Sequence, residues 1–396
     1  MNGTLTFPRS AESSNTFLLA PFGFEGGYHT EGDVLPRVTE TADGVSLGII
    51  WEEMQATLQQ WNSAAANLAG LLSYWHTSAA DAVPASIAQN LFEKASEYGE
   101  PVAIRPGSYT LVGFPFEDFD TATRFTWKFL RDADARQVRA AHNEALAADS
   151  RLVTSAILQR LFDPTQNENE QGTPVYGLFN GDGMVPAPFA GQSFTGAETH
   201  YTHSGNTAID SGDVESAIKL VKGKGFGVPE SGQTLLLLCH PNQADDIMSW
   251  KKGAENANTA VAKYDALPSV GAPAFEIPGQ IVGQQAPAEI FNVPVVGSYG
   301  PALVVESYFV PAGYFSVVAT SGPNSPNNAL GVRQHPNSVY QGLRQIPGNI
   351  PGYPLQESFY TRGFGVGTRR RGAAAVCQIT DSGSYTAHSA LLRPHW

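Results

Sequence analysis

The sequence predicts an α+β subunit, and three stretches carry that prediction. They are a long amphipathic helix, a two-legged β excursion just before it, and a glycine-punctuated set of strands that closes the chain. The helix runs from Arg131 to Phe162. It contains neither Gly nor Pro, and Val138, Ala141, Ala145, Leu146, Leu152, Val153, Ala156, Ile157, Leu161 and Phe162 follow the spacing of one helical face. Asp132 and Asp134 at its start and Arg160 near its end match the helix dipole, and Asp163-Pro164 stops it. At about 1.5 Å per residue it is roughly 48 Å long, a strut suited to a flat subunit.

Composition narrows the function classes. Only 15% of the 396 residues are charged, against about 25% in ordinary soluble domains, while 42% are hydrophobic. A surface so poor in charge suits a protein covered by neighbours. The net charge of −13 is unevenly spread: residues 1–100 hold twelve acids and three bases, whereas residues 331–396 hold seven Arg and two acids. Opposite ends of the chain therefore attract, within one subunit or between copies. An acidic total without a basic, aromatic-bearing stripe argues against a dedicated nucleic-acid binder. Cys239 and Cys377 are too few for a disulfide framework, which points to synthesis in a reducing cytoplasm. The first residues show no secretory signal, and the longest strongly apolar run, Leu235 to Cys239, is far too short to span a membrane.

Taken in order, residues 1–48 read as an extended arm, rich in Gly, Pro, Ser and Thr but dotted with Phe17, Phe22, Phe24 and Tyr28. Helical spacing follows from Trp51 to Trp75, and Ala85 to Tyr98 supplies a shorter helix. Gly99 to Leu130 then reads as a β excursion that turns near Arg105-Pro106-Gly107-Ser108 and returns through Arg124 to Phe129, which alternate polar and aromatic. An isolated hairpin is marginal in water, so this one needs a surface to lie on. After the long helix come a strand-like Val175 to Phe179, a helix over Asp213 to Val221 capped by Asp210 or Ser211, and an apolar strand Leu235 to Cys239. A helix over Gln243 to Trp250, a strand, turn and strand over Ala302 to Thr320, and closing strands Leu355 to Phe364 and Gly372 to Thr380 complete the chain.

Constellations for chemistry are sparse. Gly223-Lys-Gly-Phe-Gly227 and Gly363-Phe-Gly-Val-Gly367 match neither a dinucleotide fingerprint nor a P-loop, and read as turns or strand kinks. His200 and His203 have metal-ligand spacing without further ligands nearby. Ser193 misses a nucleophile elbow by one residue, Cys239-His240 are adjacent without being placed in contact, and Asp245-Asp246 and Glu117-Asp118 read as ordinary loop and helix-start signals. No catalytic, cofactor or metal residue is assigned. Arg369-Arg370-Arg371 is the dense basic cluster, either ion-paired at a strand end or facing an acidic neighbour.

With these stretches in hand, the chain resembles the major capsid proteins of tailed bacteriophages, of the HK97-like fold, and among them those of actinobacterial phages. The resemblance is carried by Phe92 to Pro101, Gly113-Phe-Pro-Phe-Glu-Asp118, Thr123 to Arg131, Tyr308-Phe-Val-Pro-Ala-Gly-Tyr314, Leu330 to Pro336 and Arg362 to Ala373, in that order. It implies an N-terminal arm and helix over 1–80, a short helix over 81–98, an extended E-loop hairpin over 99–130, and a peripheral domain over 131–204 built on the spine helix. An axial domain over 205–340 and a return to peripheral strands over 341–396 follow. It further implies hexamers and pentamers of an icosahedral shell around double-stranded DNA bound without sequence specificity, and arms and E-loops lying across neighbours. Arg105, Tyr109, Phe114, Phe116, Arg369, Arg370 and Arg371 are the expected inter-subunit contacts. With only a short arm before the first helix, any scaffolding protein is expected to be separate, alongside a portal and, as an optional partner, a decoration protein. The chain has no Lys between Lys94 and Lys128, which argues against covalent crosslinking through the E-loop. An encapsulin-type compartment shell is the alternative on the same fold, and a hydrolase using Ser193 or Cys239 the other class.

Overall fold

Two sheets share one long helix. The computed structural model describes residues 38–63, 68–84, 94–95, 97–100, 109–271, 285–348 and 357–388. Their helices are α1 (Leu47–Ser63), α2 (Leu68–Leu72), α3 (Trp127–Asp132), α4 (Ala135–Phe162), α5 (Ser211–Gly223) and α6 (Pro241–Met248). The strands of the first half are β1 (Ser73–His76), β2 (Ala80–Pro84), β3 (Tyr109–Gly113), β4 (Glu117–Arg124), β5 (Asn167–Glu168), β6 (Pro174–Val175) and β7 (Tyr201–His203). Those of the second half are β8 (Thr234–Cys239), β9 (Ala266–Pro268), β10 (Glu289–Ile290), β11 (Val293–Pro294), β12 (Gly297–Tyr299), β13 (Ala302–Glu306), β14 (Tyr314–Thr320), β15 (Leu330–Gln334), β16 (Arg344–Pro347), β17 (Glu357–Thr368) and β18 (Ala374–Gln378).

The long helix is α4. It starts four residues later than expected, because Ala133 and Asp134 are extended and Asp134 is its cap. The Asp134 carboxylate accepts from the Gln137 N–H at 3.0 Å, and the Gln137 side chain accepts from the Asp134 N–H at 3.2 Å. This reciprocal pair satisfies two of the N–H groups that a helix start leaves bare. Before it, Thr126 caps α3. That cap decides the stretch Arg124 to Phe129, where alternation predicted a strand: six residues are too few to separate period two from a helical turn.

The larger sheet runs β7-β18-β14-β8-β13-β12-β9. Its centre is the apolar strand β8, antiparallel to β14 and parallel to β13. Leu235, Leu237 and Cys239 join a core with Val214 and Ile218 of α5 and Ile247 of α6, while Leu236 and Leu238 join the core that holds Ile157, Leu158 and Leu161 of α4. A strand buried on both faces needs an unbroken apolar run, which is why this one was legible. The expected strand, turn and strand over Ala302 to Thr320 is present as β13 and β14, but β8 lies between them, so they do not form a hairpin. The helix capped by Asp210 and the helix after His240 both form.

The second sheet runs β1-β15-β17-β16, with β4 also on β17. Here Trp75, expected on a helix, lies in β1, whose parallel pairing with β15 overrides the helical spacing. A buried polar network ties this sheet to α4 and α1. His142 of α4 meets the Tyr360 hydroxyl at 2.9 Å, and the Gln345 amide donates to the same hydroxyl at 2.8 Å. Arg362 donates to Asp149 at 2.7 Å and the Trp61 indole N–H to the same carboxylate oxygen at 2.9 Å.

The β excursion differs in its boundaries. Its described outgoing leg is β2, paired antiparallel with β3, so it begins well before residue 99 and its return leg ends at Gly113. Residues 117–124, expected within the hairpin, form β4 of the body sheet. Val175 to Phe179 is a strand only at Val175, paired through Pro174–Val175 with β5. The arm up to residue 37, most of the helix expected over Ala85 to Tyr98, and the expected turn at residues 105–108 lie outside the described residues; Glu97 and Tyr98 form a bend.

Asp149 is buried, and the Arg362 side chain paired with it is 12% exposed. Asp149→Ala therefore leaves a cation and an indole N–H without their partner, at a cost of about 3–5 kcal/mol in unfolding free energy by chemical denaturation; a loss under about 1 kcal/mol would show the network is not needed.

Candidate assembly interface

The place where the hairpin leaves the body is the most elaborated polar and aromatic cluster among the described residues. β2 and β3 form a sheet of their own. Val112 is buried against the body, but Tyr109 and Leu111, on the opposite face by strand alternation, are 68% and 56% exposed. Such a bare apolar face on a two-stranded ribbon calls for cover from elsewhere.

At the root, the Phe114 N–H donates to the Ala79 carbonyl at 2.9 Å, which closes the two legs together. The Asn169 amide donates to the same carbonyl at 2.9 Å. Arg333 of β15 donates to the Phe114 carbonyl and to Glu170, each at 2.9 Å, and its guanidinium lies over the Phe116 ring. Arg369 pairs with Asp81 of β2 and lies over Tyr74. Phe114 itself is fully buried, edge-on to His76 at 4.2 Å. Burial, with Arg369 and Arg333 adding to it and Asp81 opposing it, holds His76 down to about 4, so it is neutral here.

Of the seven expected contact residues, Tyr109 is open and Phe116 half-buried beside His335. Phe114 corrects the expectation: its ring is an anchor inside its own subunit and presents no surface to a neighbour. Arg371 corrects it too. Its guanidinium donates to the Gly177 and Leu178 carbonyls at 2.9 Å each and to Asp182 at 2.6 Å, and it packs on Tyr176 and Phe179. A charge so fully partnered is a clamp within the fold. Arg369 is likewise paired with Asp81, so an acid of the first hundred residues meets the Arg-rich end inside one subunit. Arg370 has only the Asn327 side chain at 3.4 Å, and its Nε has no partner among the described residues. Arg105 lies outside the described residues.

Further apolar surface lies elsewhere on the subunit. Trp127 and Phe129 of α3 are partly open, and Tyr308 is 84% exposed beside His240. Sequence reasoning missed the exposure of α3, because its aromatics were assigned to a strand. It also missed Asp81 and Arg333, for which the sequence carries no local signal.

The candidates for chemistry do not converge. Cys239 is fully buried, and burial, with Glu306 adding, pushes its thiol up to about 12. Ser193 is exposed on a loop. His200 is buried with Nδ1 2.6 Å from the Ala374 carbonyl, while His203 lies exposed two positions after Tyr201 on β7. No group of three or more His, Cys, Asp or Glu side chains able to hold a metal occurs among the described residues, nor does a helix long and apolar enough to cross a membrane. An open cleft of about 610 Å³ lies between α4, β4 and β17, lined by Phe119, Leu152, Ala156, Arg160 and Phe364 with Glu117 and Glu168 also on its wall.

No family model and no curated protein matches the sequence. Among solved structures, that of Mycobacterium phage Patience is 37% identical, with a TM-score of 0.68 over 93% of this chain and 97% of that one. The chain belongs to the tailed-phage major capsid proteins of HK97-like fold. Two more distant structures are the capsid of a native GTA particle, at 13% identity and a TM-score of 0.43 over 92% and 99% of the chains, and the SrpI encapsulin complex of Synechococcus elongatus, at 12% and 0.38 over 80% and 88%.

His200 sets a pH limit on this capsid subunit. Burial holds it down to about 4 from an ordinary 6.5, with its Ala374 bond opposing. A depressed His contributes its stability above pH 6.5 and loses it as pH falls towards 4, a change on the order of 3 kcal/mol. Denaturation midpoints measured across that window should fall more steeply in the wild type than in His200→Gln; parallel falls would contradict the assignment.

Proposed function

We propose that the subunit tiles into hexamers and pentamers of a closed icosahedral shell, with the β2–β3 hairpin of each copy lying on its neighbour. The uncovered Tyr109–Leu111 face carries this reading, since a two-stranded ribbon with a bare apolar side lacks a reason to persist alone. The shell encloses double-stranded DNA, and an acidic chain suits a wall to which DNA does not adhere. The division into arm, E-loop, peripheral and axial parts applies with the described legs of the hairpin at residues 80–84 and 109–113. The role is structural, without cofactor, and assembly proceeds in the host cytoplasm with a separate scaffolding protein and portal; a decoration protein is a further partner of the shell. Nucleic acid inside purified particles, rather than protein cargo, separates this from a compartment shell.

The double variant Tyr109→Ser, Leu111→Ser tests it. The variant should retain the wild-type melting transition yet lose at least tenfold in yield of closed particles by negative-stain microscopy. Normal yield of closed shells would dispose of hairpin docking.

Arg370 is the member of the triplet left to meet an acidic group of another copy. Each exposed pair is worth only about 0.2–1 kcal/mol, but it repeats in every subunit and is screened by salt. Arg370→Ala particles should therefore come apart at lower salt than wild type, read by light scattering across a salt series; identical curves would remove Arg370 from the interface.

A further inference from the structure

Gly363, Gly365 and Gly367 fall on one face of β17, because alternate residues of a strand point the same way. None of them has a positive φ, so backbone conformation does not call for glycine at these positions. Close approach does. A Cβ on Gly367 would come within 2.6 Å of the Phe114 ring and 2.8 Å of the Gly113 carbonyl oxygen. One on Gly331, in the adjacent strand β15, would meet the same ring at 2.6 Å. One on Gly365 would run into the Pro115 carbonyl, and one on Gly363 would meet the Phe116 ring at 2.6 Å and the Asp118 carboxylate. The four glycines form a side-chain-free bed on which residues 113–118 lie flat, from the last residue of β3 to the first residues of β4.

We infer that this bed sets the angle at which the hairpin leaves the body, and through it the angle between neighbouring subunits and the curvature of the shell. The inference rests on the proposed docking of the hairpin on a neighbour. Carbon atoms in ordinary contact lie about 3.5–4.0 Å apart, so a Cβ that meets backbone, as on Gly365 at the Pro115 carbonyl and on Gly367 at the Gly113 carbonyl, displaces the crossing by roughly 1 Å or more. The Arg333 clamp and the Phe114–Ala79 bond tie the crossing to β15 and to the foot of β2, so the displacement is passed to the ribbon as a tilt. β3 extends four residues beyond the bed at about 3.3 Å each, and a tilt at the root is amplified at its far end.

The test compares Gly363→Ala and Gly365→Ala with Gly48→Ala, a control in α1 whose Cβ would meet nothing closer than 3.6 Å. Each full-length protein is measured for thermal unfolding and for the diameter distribution of its particles by electron microscopy. The expected result is that Gly365→Ala, whose obstacle is the Pro115 main chain, forms particles of shifted or broadened diameter, or open sheets, while Gly363→Ala, whose obstacles are side chains able to shift, melts within a few degrees of wild type and shows the same change to a smaller extent. Gly48→Ala should give wild-type particles. Wild-type diameters in both bed variants would overturn the inference. Loss of folding in both would overturn it as well, since the glycines would then serve the core and not the angle. If Tyr109→Ser, Leu111→Ser blocks assembly while the bed variants build wild-type shells, only this inference fails; if that double variant assembles normally, the docking beneath it fails.

Discussion

A ribbon of two strands has two faces, and the described residues of this subunit supply cover for one. Val112 turns into the body while Tyr109 and Leu111 turn away from it. The unmet burial of that second face is the constraint around which the remaining structure is arranged. Ion pairs, an aromatic plug and four glycines meet where the ribbon joins the body.

The body is correspondingly rigid. α4 is about 42 Å long and packs one side of the large sheet, while the polar network through His142, Tyr360, Asp149 and Arg362 fixes the second sheet to the same helix. Buried polar groups of this kind contribute less to net stability than to a unique arrangement, because a displaced element would leave each of them unpaired. The second sheet also carries both the glycine bed and β4, the continuation of the hairpin's return leg. The helix, the sheet and the start of the ribbon are therefore joined through shared contacts.

Much of this was legible where local patterns decide structure. The long helix showed its period and its final cap, and the strand buried on both faces showed an apolar run. The start of α4 was placed too early because Asp132 and Asp134 both look like caps, and only Gln137, three residues after Asp134, tells them apart. Where distant pairing decides, the reading failed. Trp75 sits at helical spacing yet pairs with Val332, and the true outgoing leg, β2, meets a partner more than twenty residues away. Phe114 and Arg371 look like ideal contact residues in the sequence, an aromatic in a loop and a charge in a cluster. Their partners, Gly331 and Gly367 for one and the Gly177 and Leu178 carbonyls for the other, come together only in the fold.

Hydrogen–deuterium exchange of residues 109–113, compared between assembled particles and dissociated subunits, addresses the central claim most directly. Cover by a neighbouring copy predicts slower exchange of the Tyr109–Gly113 amides in the shell than in the free subunit, where pairing with β2 alone holds them. Equal exchange in both states would contradict it, and would mean that the ribbon's bare face is not where one subunit holds the next.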